Sequence, residues 1–372
     1  MKKIPIQKKR AEYPARNKSK SECVEEAAGY YLCDKTNVPQ RPVISLFSGA
    51  MGMDLGLAQA GLTPVVCQDI DPWCCETIRK NKPGLAVVPG DIKSLIAADP
   101  SCSFLTKAAG IDAKDVFAIV GGPPCQAYST AGRRQGSNDI RGTLYADFVH
   151  TVEQLRPRFF VMENVKGLLS MRIDPENPES TPLLEIILSE FARIGYHTVH
   201  GVLDAVHYGA AQFRERVVIV GSRDAESIFL PLPTRYPTHQ SPGCRWKTLR
   251  DAIGDLEDEP GPCAKFSPKI QYYLGMVPEG GNWKNLPAEI LPEAMGGAYA
   301  SGGGKVGFFR RLGYSQPAPT MVTSPIQKAT ILCHPCGKRP LSAREYARIQ
   351  GFPDDWNQIG RASCRERVYV LV

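Results

Sequence analysis

Long apolar runs are missing from this chain; no stretch approaches the length that crosses a bilayer. The basic opening MKKIPIQKKR is not followed by an apolar segment. That excludes a secretory signal and leaves a cytoplasmic protein, with no membrane partner, as the expectation. G-x-G-x-x-G is also absent, which removes the fingerprint of a dinucleotide-dependent oxidoreductase. No internal repeat is visible. Cysteine is not scarce, at 12 residues, but it lacks any framework spacing, so free thiols are expected rather than disulfides. Acidic residues are rare at the start: residues 1–20 hold eight Lys or Arg against one Glu, a large part of the net charge of +7. Such a tail reads as a solvated extension, or as a weak, salt-sensitive attraction to nucleic acid.

What is present is a strand–helix alternation that starts near residue 42, after a flexible basic tail over 1–40. Apolar runs at Pro42–Phe47, Pro64–Ile70, Leu85–Val88, Val116–Val120, Phe159–Met162, Thr198–Leu203 and Val217–Val220 predict strands. Met53–Ala60 predicts a helix. Asp71-Pro72 supplies an N-cap and a first-turn proline for a second helix ending near Asn81, and Thr181-Pro182 opens another that Gly195 closes. This alternation predicts a Rossmann-like, doubly wound, mostly parallel α/β sheet across 41–223. Residues 224–316 are rich in proline and glycine with weak periodicity and predict a smaller, loop-rich domain. Ordered pattern resumes in 317–358, where Ser342-Ala343-Arg344-Glu345 has the form of a capping box.

Five short stretches carry candidate chemistry. LFSGAMGMDLGL (46–57) runs from strand through a glycine-bearing turn into a helix, either a plain tight turn or a backbone cradle for a ligand. Asp69 ends the second strand, where a carboxylate accepts ribose hydroxyls or simply caps the next helix. Gly90-Asp91-Ile92 follows the third strand in the same manner. GGPPCQAYS (121–129) places Cys125 after two prolines that fix φ and hold the next residue stiffly. A lone cysteine is otherwise a small hydrophobe; a rigid carrier suits a nucleophile. FFVMENV (159–165) ends a strand on Glu163, which either caps the following segment or holds a proton at a partly buried site. In QFRER (212–216), extended alternation would put Gln212, Arg214 and Arg216 on one face, as an exposed strand start or as a fork of donors.

Taken in order, these stretches resemble the bacterial DNA (cytosine-5)-methyltransferase family, over about residues 42–358. FSGAMG resembles the first motif of that family, GGPPCQAYS its catalytic motif, ENV its glutamate motif and QFRER its Gln-x-Arg-x-Arg motif. RRLGYSQPAPTMVTSP (310–325) resembles the motif that closes the target-recognition region, and LSAREYARIQGFPDDW (341–356) the approach to the final motif. Six motifs in the family's order make chance agreement a poor explanation.

The resemblance implies a reaction on a flipped-out cytosine, because C5 is inaccessible inside a stacked duplex. Cys125 would attack C6 as a thiolate, Glu163 would hold N3 and the exocyclic amine, and Arg216, supported by Arg214 and Gln212, would donate to O2. S-adenosylmethionine is the implied methyl donor. Phe47, Ser48, Gly49, Ala50 and Gly52 would line its methionine part, Asp69 its ribose, Ile70 an adenine face, and Asp91 and Ile92 the adenine edge, with Pro124 and Leu144 completing the wall. Ser129, Arg133, Arg134 and Gln135 match a mobile loop that closes over double-stranded DNA. Residues 224–316 match the region that reads sequence, and no metal is implied. A monomer is expected, and a target region of this size suits a separately acting restriction endonuclease.

The chain departs from the family pattern in places. Met51 stands where many members have glycine, and Tyr128 replaces a usual phenylalanine. The family normally finishes with Gly-Asn and a helix that helps line the cofactor site. Here WNQ runs into IGRASCRERV (359–368), a decapeptide that a sequencing-adapter read-through encodes, so 359–372 are expected to be a non-native tail. Cys333-His334-Pro335-Cys336 has the spacing of half a zinc site without a clear second pair. Two rival functions stay open: a tRNA cytosine-5 methyltransferase of the same family, against which the long target region and the lack of Cys-Phe-Thr argue, and a truncated, inactive DNA-binding homologue.

Overall fold

Seven strands hydrogen-bond into one sheet in the order β3-β2-β1-β4-β5-β7-β6. The computed structural model describes residues 41–124, 144–174, 177, 179–238, 242–300, 307–322, 326 and 330–359. The strands are β1 (Arg41–Leu46), β2 (Leu62–Asp69), β3 (Ala86–Pro89), β4 (Ala118–Gly121), β5 (Phe159–Val165), β6 (His197–Asp204) and β7 (Glu215–Ser222). β1 through β5 run parallel; β7 lies antiparallel between β5 and β6. The chain winds from β1 outward through β2 to β3, then returns to place β4 on the other flank of β1. The strand order therefore reverses between β1 and β4, and the loops leaving their carboxyl ends part there. That is where open α/β sheets bind ligands, and it is where FSGAMG and GGPP (121–124) lie.

Local chemistry accounts for the helices that flank the sheet. α1 (Gly52–Gln59) follows the first motif. α2 (Pro72–Asn81) begins at Asp71, whose carboxylate accepts the Trp73 amide at 2.8 Å, with Pro72 in the first turn. α3 (Ile92–Ala98) is capped by Asp91 in the same way. α6 (Leu183–Arg193) ends before Gly195, which takes a φ of +83°. Three helices were not anticipated: α3, α4 (Ser103–Ala109) and α5 (Leu144–Leu155). The first two have only seven residues each, too short to show a period, and α5 adjoins the polar stretch 130–143, which obscures its start. The fourth strand is also later than its apolar run suggests, because a 3-10 turn over Ala113–Asp115 delivers Val116 and Phe117 to the sheet's edge before regular pairing begins.

The main core fills the space between sheet and helices with Ile44, Leu46, Ile119, Phe148, Phe160, Phe191 and Ile219, all fully or almost fully buried. Phe160 stacks on Phe191 with centroids 3.9 Å apart. Opposite Phe160 on β7 sits Gly221, where any added Cβ would fall 2.0 Å from the ring, so the glycine makes the room the aromatic occupies.

Beyond β7 the chain forms short elements: α7 (Leu249–Ile253), α8 (Pro268–Met276), α9 (Leu291–Met295), α10 (Gly297–Ala300) and, in the returning segment, α11 (Ala343–Ile349). Two further apolar clusters hold them. Phe266, Tyr273, Leu274, Met295 and Phe309 make one, while Leu249, Leu312, Tyr314, Tyr346 and Ile349 make the other. Weak periodicity hid α7 to α10 because polar clamps, not long stripes, organise the region. The buried Arg311 guanidinium donates to the carbonyls of Leu274, Val277, His334, Pro335 and Gly337. It thereby pins the Cys333–Cys336 turn, in which Cys333 faces inward and Cys336 outward. The capping box at Ser342 forms as read: Ser342 Oγ accepts the Glu345 amide, and Glu345 returns a carboxylate to the Ser342 amide while gripping Arg339 with both oxygens.

The fit at the switch point is tight enough to test. A Cβ added at Gly121 would lie 2.5 Å from the Leu46 carbonyl oxygen and 3.2 Å from Phe148. Backbone cannot yield as a side chain tip does, so Gly121→Ala should cost about 1–3 kcal/mol in chemical denaturation. A variant as stable as the parent would show that β1 and β4 do not pack at this spacing.

Candidate active site

The loop after β1 is bent through three left-handed residues, Phe47 (φ 54°), Gly49 (55°) and Met51 (68°). Only one is glycine. A methionine in this conformation costs about 1 kcal/mol or more, and Met51 is held there by burial against Cys67 and Ile78. The glycine-to-methionine departure is thus accommodated by packing. Asp69, fully buried at the end of β2, locks the bend: one carboxylate oxygen accepts the Gly49 amide at 2.9 Å, the other the Asp71 amide at 2.8 Å. Gln68 extends the same logic to the next loop by donating to the Gly90 carbonyl at 2.7 Å.

Around this lock the predicted pocket residues fall at one edge of the sheet. Ile70 is 55% exposed and Trp73 is 48% exposed, an unusual pair of bare apolar side chains beside a buried carboxylate. Ser48, Ala50 and Ile92 are buried beneath. The Asp91 carboxylate caps α3, accepting the Lys93 amide at 3.2 Å and the Ser94 hydroxyl at 3.4 Å. Leu144 opens α5 half-buried against the main core. Apolar faces next to fixed oxygen acceptors suit a ligand with an aromatic base and a sugar diol.

On the other side of the switch, parallel pairing sets Gly121 of β4 against Met162 of β5. The Pro-Pro arm that leaves β4 therefore rises beside the end of β5. Asn164 fastens it by donating its side-chain amide to the Pro123 carbonyl at 3.2 Å, while its Oδ1 accepts the Val165 amide at 2.8 Å. Cys125 itself lies outside the described residues, as do Ser129, Arg133, Arg134 and Gln135. Asn164 went unassigned in the sequence reading; its signal was a buried amide one position after Glu163, aimed at the opposite face of the strand.

Glu163, 2% exposed, pairs with Arg216: Nε stands 2.7 Å from Oε1. The two come from antiparallel neighbours. Glu163 lies opposite Val218, so Arg216 is its diagonal partner across β5 and β7. Arg216 also donates to the Glu215 carbonyl at 2.8 Å. The remainder of QFRER is placed differently from an exposed strand start. β7 begins only at Glu215, so strict alternation does not extend back to Gln212. Gln212 is fully buried and binds the returning segment, donating to the Ile349 carbonyl at 3.2 Å and accepting the Met321 amide at 3.3 Å. Arg214 is buried, with its backbone amide on Asp204 at 2.7 Å. Phe213 points outward and lines a cavity of about 520 Å³ with Arg245, Trp246 and Ser315.

Comparisons with known proteins bear on the chain as a whole. The sequence profile of the family described as C-5 cytosine-specific DNA methylase matches residues 42–369. The type II methyltransferase M.Eco47II of Escherichia coli is 38% identical over 331 residues, covering 87% of this chain and 73% of that protein. M.Sau96I of Staphylococcus aureus is 37% identical, covering 87% and 71%. Among solved structures, a DNA modification methyltransferase encoded within an Escherichia coli prophage superposes with a TM-score of 0.58 at 24% identity, over 88% of this chain and 93% of that one, a likeness of fold.

The buried ion pair makes a direct prediction. Removing one partner of such a pair costs about 3 kcal/mol, more than the pair itself contributes. Arg216→Met should therefore destabilise by roughly that amount, and adding Glu163→Gln should recover much of it. Additive losses in a double-mutant cycle of unfolding free energies would contradict the coupling.

Proposed function

The chain belongs to the C-5 cytosine-specific DNA methylase family, and on that premise we propose that it methylates cytosine C5 in duplex DNA through a transient bond between Cys125 and C6. The observation that carries this reading is the Glu163–Arg216 pair, a carboxylate and a guanidinium 2.7 Å apart at the end of β5, beside the arm that bears the thiol. A cytosine presents a ring nitrogen, an exocyclic amine and a carbonyl oxygen along one edge. A fixed acceptor next to a fixed donor matches that edge.

In this reading the Cys125 thiolate adds to C6, and the electron pair of the C5–C6 double bond moves to C5. Glu163 accepts from the amine with one oxygen and, protonated on the other, donates to N3, while Arg216 donates to O2, so negative charge building on the ring is met by donors at N3 and O2. S-adenosylmethionine, when bound, supplies the methyl group that C5 takes. Loss of the C5 proton then restores the double bond and releases the sulfur. Rigidity is the contribution of Pro123, Pro124 and Asn164: they restrict where the thiol can be.

The exposed Ile70, the Asp69 lock and the bend at 47–51 support S-adenosylmethionine as the cofactor, with Asp91 and Ile92 at the adenine edge and Leu144 and Pro124 closing the wall. Gln212 and Arg214 take positioning roles, the former by tying the Arg216 segment to α11. Residues 224–316 are the proposed reader of DNA sequence, residues 130–144 the segment that closes on it, and Ser129, Arg133, Arg134 and Gln135 its DNA contacts. The curated relatives are type II methyltransferases, which favours a restriction–modification setting with a separately acting endonuclease. The tRNA reading gains nothing from them. No helix among the described residues is long and apolar enough to cross a membrane, and the bacterial relatives favour a cytoplasmic enzyme, which we take to act as a monomer.

Expression in a host that lacks cytosine methylation, followed by bisulfite sequencing of its DNA, should reveal 5-methylcytosine at one short motif. Cys125→Ser should abolish the signal while leaving DNA binding largely intact. Methylation by the serine variant at the parental level would overturn the covalent mechanism.

A further inference from the structure

The cavity beside Phe213 plays no part in the chemistry above. It holds about 520 Å³, a volume that suits a small ligand, and its walls include Phe213, Arg245, Trp246, Thr248, Asp251 and Gln316. Its place relative to the reacting groups follows from strand pairing. Arg216 lies opposite Val165, so β7 enters the sheet at the end where β5 leaves it. Residues 212–214 therefore stand beyond the edge that carries the Glu163–Arg216 pair. Three residues of chain reach at most about 11 Å, which bounds the backbone distance from Phe213 to Arg216. Nucleotides of one strand advance about 3.4 Å each along a duplex. The cavity is then within about three nucleotides of a cytosine held at Glu163.

Its aromatic wall is rigid. The Phe213 amide donates to the Ala318 carbonyl at 2.8 Å, and the Thr320 hydroxyl donates to the Phe213 carbonyl at 2.7 Å. The Phe213 and Trp246 rings meet edge to face, with centroids 5.3 Å apart at 87°. His207 braces the indole from another direction, with centroids 5.3 Å apart and the indole N–H 3.4 Å from Nδ1. Even so, Phe213 is 36% exposed and Trp246 only half-buried. Fixed aromatic rings that keep solvent access form a stacking surface at little entropic cost.

The polar wall favours an anion. One Asp251 oxygen accepts both the amide and the hydroxyl of Thr248, at 2.7 and 2.8 Å, so that carboxylate is committed to closing the first turn of α7. Among the described residues the exposed Arg245 guanidinium has no acidic partner. The Gln316 carbonyl accepts the Leu249 amide at 2.8 Å, and its side-chain amide carries both donors and an acceptor.

We propose that this cavity takes a second nucleotide of the DNA, unstacked close to the flipped cytosine, with its base against Trp246 and Phe213 and its phosphate at Arg245. The inference rests on the reading of the protein as a DNA methyltransferase. A base next to an extruded one has already lost a stacking partner, so drawing it out costs less than for an interior base. Stacking on the aromatic pair offsets the remainder whatever the base.

The methylated motif read by bisulfite sequencing supplies the test duplex. A companion series carries one abasic site at each of the three positions on either side of the target, in both strands. Affinity is measured with S-adenosylhomocysteine present for the full chain and for Trp246→Ala, Trp246→Phe and Arg245→Gln. Trp246→Ala should bind the intact duplex about ten-fold more weakly, with Trp246→Phe restoring most of the loss. One abasic position should cost the parent a similar factor and cost Trp246→Ala nothing further. Arg245→Gln should reduce the slope of log affinity against log salt by about 1. A Trp246→Ala loss that adds to that of every abasic position, or no loss at all, would overturn the cavity and leave the DNA reading standing. Arg245 is exposed, so its variant decides the matter even where Trp246→Ala does not fold: an unchanged slope overturns the proposal by itself. A chain that methylates no motif and binds no duplex would overturn the DNA reading, and this inference with it.

Discussion

The ion pair between Glu163 and Arg216 is the constraint on which the proposed chemistry depends, and the pairing of β5 with β7 holds it in place. Both side chains are drawn from strands whose other residues form the apolar core, so their directions are set by the register of β5 on β7. An exposed pair would be screened and mobile; here only the guanidinium retains partial access. Desolvation makes each group expensive in isolation, so losing one partner costs more than the pair itself contributes. A substrate edge with matching polarity can take over part of that interaction without reorganising the protein, which is the condition for charge stabilisation during reaction.

A second regularity runs along the carboxyl ends of β1, β2 and β5. Buried polar side chains concentrate there: Ser45, Ser48, Asp54, Gln68, Asp69, Glu163 and Asn164. Most are used to bind loops to one another. Asp69 joins the first two loops, Gln68 joins the second to the third, and Asn164 joins the proline arm to β5. Loops that carry chemistry are thereby given the rigidity of the strands below them. Gln212 performs the same service at longer range by tying the Arg216 segment to α11, which returns from more than a hundred residues away.

The sheet was legible in the sequence because each central strand is an unbroken apolar run bounded by turn residues, and every strand read from the text lies at its expected place within a few residues. The helices α3 and α4 were not, since seven residues span barely two turns, too few for an apolar repeat to stand out. The region after residue 223 was read as loops because its order comes from contacts distant in sequence, with Arg311 bridging carbonyls at 274–277 and 334–337. At the site, motif order identified Glu163 and Arg216 but not their mutual contact, which requires the register of two antiparallel strands. The alternation rule misplaced Gln212, since the strand it presumes starts at Glu215. Asn164 escaped notice because its significance lies in what surrounds it rather than in any spacing.

The proposed reaction depends on where the substrate bond forms. Duplex DNA carrying 5-fluorocytosine at the recognised position cannot lose its C5 substituent as a proton, so the thioether to C6 should persist after methyl transfer. Incubation with S-adenosylmethionine, protease digestion and peptide mass spectrometry should find the modified pyrimidine on Cys125. Attachment to another residue, or no attachment on a duplex whose unfluorinated counterpart is methylated, would contradict it.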